Sequence, residues 1–309
     1  MAVDILCMGE PMLELNQLPP DAQGRVLYLQ GHGGDTSNAA IAAARQGVRT
    51  GYITAIGEDA AGDSFMTLWQ SEGVDTSTVI RTAEAPTGVY FVTHDAKGHH
   101  FTFYRTGSAA SRMTPRDVPE AAIARARILY ASGISQAIST SAADAVFHAI
   151  AVARQHGVKV AYDTNLRLRL WPVARARAII EAAIAQSDMA FPSREDAQAM
   201  TGLSDPDAIA DHYLRLGCPL VAVKCGAEGA LLATAGGLRA RAPAHRVEAV
   251  DATGAGDTFS GAFLARIVLG DPPEAALRYA NAAAALSTTG YGAVAPIPRE
   301  AEVRALLRS

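Results

Sequence analysis

An aspartate directly after a glycine-alanine-glycine run, in Asp251-Ala-Thr-Gly-Ala-Gly-Asp257, poses a chemical question. Small residues let a backbone wrap an anion, and free N–H groups at a helix start make a ready anion site. A carboxylate placed there repels a ground-state phosphate. It becomes useful where the anion is transient and a base is needed beside it. Asp257 then takes the proton of a hydroxyl attacking a phosphoryl group, while the N–H groups of Ala255, Gly256 and Asp257 stabilise the charge in transfer. Gly254, Ala255, Gly256 and Asp257 are therefore the candidate catalytic group. A plainer reading stays open, in which Asp257 only caps a helix over a tight glycine turn, a position that Asp favours. Two familiar loops are excluded. A Walker A loop needs Gly-Lys-Ser/Thr after its glycines, and a dinucleotide fingerprint needs a small residue where Phe259 stands.

The elements that must hold this loop follow from hydrophobic patterning. "RVEAVDAT" (246–253) reads as a strand leading in, and "DTFSGAFLARIVLG" (257–270) as a helix leading out, with Phe259, Ala262, Phe263 and Ile267 on one side. Elsewhere "VDILCMG" (3–9), "RTGYITAIG" (49–57), "ARILYAS" (126–132), "VKVAYD" (158–163), "DMAFP" (188–192) and "PLVAVKC" (219–225) are short strand-like runs. Helical stretches separate them, such as "TSNAAIAAARQG" (36–47) ending on Gly47, and 60–73 with Phe65, Leu68 and Trp69 at helical spacing. This alternation predicts an α/β fold with a mostly parallel central sheet covered by helices on both faces. One region departs from it. Residues 87–107 read as a β-hairpin around an Asp95–Gly98 turn, and "RVLYLQ" (25–30) offers a third strand to a small antiparallel sheet outside the main layer. Such a flap is either packing or a lid.

The string "DATGAGDTFSGAFLA" (251–265) resembles the C-terminal signature of the ribokinase-like (PfkB) carbohydrate kinases, and the likeness runs over essentially the whole chain. The resemblance implies one ribokinase-like, three-layer α/β/α domain over 1–309, with an antiparallel β lid from segments about 12–32 and 87–107. ATP and Mg²⁺ are the implied cofactors. A monovalent cation such as K⁺ supports the loop in some relatives and is left open here. "GGDTSNAAIAAARQG" (33–47) is similar to the family's first signature. Gly33 and Gly34 allow the backbone close to a sugar, and Asn38 offers both donor and acceptor to hydroxyls. Taken alone, that stretch reads as an ordinary helix start capped by Asp35 or Thr36. "FPSREDAQAMTG" (191–202) stands where the family has Asn-x-x-Glu: Ser193 takes the Asn position, and Glu195 is expected to organise Mg²⁺ through water. Asp196 reads equally as a solvated helix start. "VAVKCGAEGA" (221–230) resembles the turn on the nucleotide side, with Lys224 as a point charge for phosphates and Gly226 and Gly229 shaping the bend. Asn281 and Ala284 are implied beside the adenine.

Four stretches bear on the substrate. Tyr104 and Arg105 in "FYRTGSAAS", Asn165 and Arg167 in "YDTNLRLRLW", Ile134 in "LYASGIS", and the Gly34 turn look like the 2-keto-3-deoxygluconate kinase branch of the family. Tyr90 on the hairpin joins this set. The resemblance implies phosphorylation of the terminal hydroxyl of that sugar acid, giving 2-keto-3-deoxy-6-phosphogluconate. Arg105 and Arg167 together would complement its carboxylate in forked geometry. Either arginine alone fits a surface salt bridge equally well. Some relatives carry an acidic residue where this chain has "TTGYGAVAP" (288–296), so a fructokinase or ribokinase-like enzyme for a neutral sugar stays open. A non-catalytic sugar-binding sensor is the reading of another class.

Composition narrows the setting. The 309 residues are 49% hydrophobic, enough for a large core without disulfides. Cys7, Cys218 and Cys225 lack metal-type spacing and read as reduced packing thiols. A net charge of −4 argues against a nucleic-acid partner. No run approaches ~18 apolar residues, and "MAVDILCMGE" lacks a basic leader, so a cytoplasmic protein without membrane partners is expected. His99 and His100 read as lid surface. The edges of an exposed lid sheet suggest a homo-oligomer.

Overall fold

A computed structural model describes residues 3–95 and 98–308. Among these residues the strands are, in chain order, β1 (Ile5–Met8), β2 (Met12–Leu18), β3 (Leu27–Gly33), β4 (Thr50–Gly57), β5 (Val79–Thr82), β6 (Gly88–Asp95), β7 (Gly98–Tyr104), β8 (Ile128–Ser132), β9 (Lys159–Asp163), β10 (Met189–Phe191), β11 (Leu220–Lys224), β12 (Ala230–Thr234) and β13 (Arg239–Ala242). The helices are α1 (Asp35–Arg45), α2 (Ala60–Ser71), α3 (Glu120–Ile123), α4 (Gly133–Ala137), α5 (Thr140–Gln155), α6 (Val173–Ile184), α7 (Arg194–Thr201), α8 (Pro206–Arg215), α9 (Ala255–Val268), α10 (Pro273–Ser287) and α11 (Glu300–Leu306).

The large sheet runs β13-β12-β11-β10-β9-β8-β1-β4-β5 and is parallel from β11 to β5, with β12 and β13 antiparallel at one edge. Its inner strands are largely apolar because both faces are covered, whereas the edge strands β5 and β13 carry exposed arginines. Leu6 and Met8 enter one core with Leu129, Val160 and Tyr162, while Ile5 and Cys7 enter the other with Tyr130, Ala161 and Phe191. The three cysteines are free and buried. Gly47 holds φ 88°, as its place behind α1 predicts. No helix among the described residues is long and apolar enough to cross a membrane.

The small sheet runs β3-β2-β6-β7: two antiparallel pairs joined by a parallel contact between β2 and β6. Asp95 and Gly98 face each other in the β6–β7 ladder, while the centre of the expected turn and the His99 side chain lie outside the described residues. One element differs from expectation. Residues 246–253 form no strand, and the segment is mostly exposed. Its alternation has no buried face behind it, and instead Val250 and Asp251 donate their N–H groups to the Thr288 carbonyl.

Candidate active site

The parallel strands β1, β8, β9, β10 and β11 end along one edge of the sheet, where an open α/β sheet has its ligand crevice. Helices α1 and α9 cross beside it at close range. A Cβ on Gly261 would lie 2.3 Å from the Ala39 carbonyl oxygen and 2.8 Å from the Ala42 Cβ. This approach brings Asn38 of α1 to Asp257 of α9, where the amide donates to the carboxylate at 2.8 Å. Gly261→Ala is expected to destabilise the protein by about 1–3 kcal/mol, the scale of overpacking. That outweighs the ~1 kcal/mol that Ala gains over Gly inside a helix, and the midpoint of urea unfolding reads the difference.

Gly254 precedes α9 in the left-handed region, at φ 76°. Among the described residues no acceptor takes the N–H groups of Gly256 and Asp257, whereas that of Ala255 already donates to Ala252 at 3.2 Å. Two donors, not three, are thus free at the loop. Asp257 shares the crevice with two further carboxylates that sequence reasoning passed over as sites, Asp35 and Asp163. Asn165, held at φ 28°, links them: its amide donates to Asp35 at 2.8 Å and its N–H to Asp163 at 3.2 Å. Asp35 Oδ1 and Asn38 Oδ1 are buried acceptors without partners among the described residues. Such acceptors suit the hydroxyls of a polyol, because a buried polar atom left unpaired is costly. Burial, and then the Asp35 charge, raise the Asp257 carboxyl to about 7; the Asn38 hydrogen bond and the Lys224 charge oppose the rise. A base poised there suits work near neutral pH.

The lid side carries most of the expected sugar contacts. Gly34 holds φ 111°, and a Cβ on it would meet the Glu10 carbonyl oxygen at 2.6 Å, so only glycine fits this turn. Tyr90, on β6 of the small sheet itself, is buried and donates to Glu14 of β2, whereas Tyr104 is 64% exposed. Ile134 is half-buried at the start of α4. Arg105, at the end of β7, is paired with Glu10 rather than free. Arg167 is exposed and donates to the Leu166 carbonyl at 2.8 Å, and its charge acts on Asp35. From β3, Gln30 (2.6 Å) and His32 (2.8 Å) both reach Ser64 of α2, fastening the lid to the body. Amide exchange across Val89–Tyr104 is expected to slow when sugar binds between lid and body. Unchanged exchange at saturating sugar would show a rigid sheet instead.

On the opposite side, Lys224 is not extended toward a ligand. Its ammonium contacts Asp163 at 2.5 Å, and Ser260 donates to the same carboxylate at 2.9 Å. A Cβ on Gly256 would stand 3.3 Å from this ammonium, so the charge lies directly beside the glycine loop. Ser193 caps α7, accepting from Asp196 N–H at 3.0 Å, and pairs with Lys224 in an isolated bridge. Glu195 is exposed on α7. Asp196 turns inward, accepting from Thr164 Oγ1 at 2.8 Å and Leu166 N–H at 3.1 Å, and burial raises its carboxyl. Gly226 and Gly229 take positive φ after β11. Asn281 donates to the Pro243 carbonyl at 2.6 Å, and Ala284 is partly buried one turn further along α10.

Comparison with known proteins agrees with this geometry. Residues 4–300 match the pfkB family carbohydrate kinases. The 2-dehydro-3-deoxygluconokinase of Thermoproteus tenax is 36% identical, over 97% of this chain and 93% of its own. Fructokinase-1 of Oryza sativa subsp. japonica is 34% identical, over 91% and 90%. A fructokinase with bound ATP from Xylella fastidiosa superposes with a TM-score of 0.90 at 27% identity, covering 99% of this chain and 98% of that one. A putative ribokinase II in complex with ATP and Mg²⁺ from E. coli gives 0.89 at 26%, covering 99% of each. The family match over almost the whole chain, together with a fold shared along its length with ATP-bound sugar kinases, makes this chain a sugar kinase that belongs to the pfkB family of carbohydrate kinases.

Proposed function

We propose that this sugar kinase transfers the γ-phosphoryl group of ATP to the terminal hydroxyl of 2-keto-3-deoxygluconate, giving 2-keto-3-deoxy-6-phosphogluconate, in the cytoplasm. One observation carries the choice of sugar. Two guanidinium groups from distant segments lie near the carboxylates around Asp257: Arg105, behind β7, pairs with Glu10, and Arg167, beyond β9, acts on Asp35, whose own charge acts on Asp257. Guanidinium suits a carboxylate in a way that a neutral sugar does not require.

Bound Mg²⁺–ATP supplies the transferable phosphoryl group and neutralises its charge. Asp257 takes the proton of the attacking hydroxyl, and the free N–H groups of Gly256 and Asp257 receive the developing charge. Asn38 holds the Asp257 carboxylate in place and keeps its own Oδ1 for the sugar. The inward, half-buried Asp196 is better placed than the exposed Glu195 to hold a water of the metal. Among the described residues no three His, Cys, Asp or Glu gather into a metal cage, which suits an ion that keeps its waters and phosphate ligands. Ser193, Lys224, Gly226 and Gly229 line the phosphate side, with Asn281 and Ala284 by the base. A monovalent cation such as K⁺ belongs, on this reading, where the loop at Asp251 meets that at Gly292, which Asp251 already ties together at 2.9 Å. A homo-oligomer formed through the lid sheet would cover Leu29 and Tyr104, which are 59% and 64% exposed.

The test is a panel of ATP with 2-keto-3-deoxygluconate, gluconate, fructose and ribose. The sugar acid is expected to give the highest kcat/KM. A lead for fructose would establish the second reading, a neutral-ketose kinase, which the pairing of Arg105 with Glu10 favours.

A further inference from the structure

We infer that Glu10 is a positioning residue that aims Arg105 at the anionic group of the substrate, an inference that rests on the sugar-acid reading above. Glu10 follows β1, and its side chain is wholly buried, at 0% exposure. Its Oε2 accepts from Arg105 Nε at 2.7 Å and from Arg105 Nη2, and its Oε1 accepts from Ser108 Oγ at 2.5 Å. Its backbone carbonyl lies against Gly34, so one residue touches the main sheet, the sugar turn and the root of the lid.

A planar guanidinium has two edges that can each hold an anion. Glu10 occupies the edge formed by Nε and Nη2. Nη1 has no protein acceptor among the described residues, and the side chain is 13% exposed. The second edge is thus open and held at a fixed angle. An unanchored arginine would have to lose its rotamer freedom on binding, and Glu10 removes most of that cost beforehand. The pair is nearly neutral, so it contributes aligned donors rather than net charge. Arg167 supplies the uncompensated charge.

The test compares KM and kcat for 2-keto-3-deoxygluconate and fructose in three variants and one double variant. Glu10→Ala is expected to raise KM for the acid about tenfold, which is the effect of ~1.4 kcal/mol, with kcat and the fructose KM changed less than about threefold. Glu10→Gln, which keeps an acceptor for Arg105, should recover most of that loss. Adding Glu10→Ala to Arg105→Met should change the acid KM no further. A KM shift equal for both sugars, or one that persists beside Arg105→Met, would overturn the assignment. If Glu10→Ala does not fold, Ser108→Ala removes only the second tether. It should raise the acid KM in the same direction, and an unchanged value would overturn the inference. The two readings fail differently. Should the parent enzyme prefer fructose, the sugar-acid reading falls and this inference with it; should the parent prefer the acid while Arg105→Met leaves the acid-to-neutral ratio unchanged, this inference falls alone. Should Arg105→Met collapse that ratio while Glu10→Ala does not, Glu10 alone loses its role.

Discussion

Asp257→Asn is expected to fold normally and to lose kcat by a factor of about 10²–10⁴, the scale of a general base. The amide keeps the shape of the side chain beside Asn38, and it cannot take a proton from the attacking hydroxyl. The parent should carry a matching pH signature. With its carboxyl near 7, kcat/KM should fall tenfold per unit below about 7 and level off above it. The residual rate of the variant should lack that limb. Stability supplies an independent reading. A carboxyl raised in the fold favours the native state fully below its unfolded value, about 3.9. That contribution is lost as pH rises through the folded value of about 7. Asp257→Asn should therefore gain on the parent in melting temperature from about pH 4 upward, with a constant advantage above about 7. A near-parent kcat would reduce Asp257 to a helix cap.

The parts of the molecule that local pattern encodes were legible in the sequence. β1, β4, β8, β9 and β11 are short apolar runs buried on both faces, and such runs can be recognised without knowing their neighbours. The hairpin of β6 and β7 alternates visibly, and the glycine loop carries its chemistry in consecutive residues. What escaped depends on sheet order. Glu10 and Arg105 meet because β1 ends beneath the root of the lid, and Asp163 meets Lys224 because β9 and β11 flank β10. No spacing in the chain encodes either pair. Asp35 has the form of a helix-start residue, and nothing in its spacing signals that its side chain is buried with one oxygen orphaned among the described residues. The direction of a short helix separates the exposed Glu195 from the inward Asp196. The Ser193 cap with Asp196 three residues later is the usual sign of a helix start and places Asp196 against the body. The strand expected over 246–253 failed because alternation without a partner strand or a buried face specifies nothing.

Arg167→Leu is expected to lower kcat/KM for 2-keto-3-deoxygluconate by about 10–150-fold, the rate equivalent of a charge-assisted hydrogen bond of ~1.5–3 kcal/mol. Leucine keeps the apolar base of the side chain and removes the one guanidinium of the pair that no carboxylate holds among the described residues, where its acceptor is the Leu166 carbonyl. Its exposure places the expected loss toward the lower end of that range, because water screens part of the interaction. A neutral ketose makes no contact that depends on this charge and should lose much less. The ratio of the two substrates is therefore the quantity to measure, since damage to the fold cancels in it. Equal losses would place Arg167 at the phosphoryl group or in the structure of the loop after β9, where its charge bears on Asp35. If neither substrate is affected, Arg105 is left as the only guanidinium on the sugar side, and Glu10 already neutralises it. A pocket without net positive charge has no physical preference for an acid, and the neutral-ketose reading would then account better for the site.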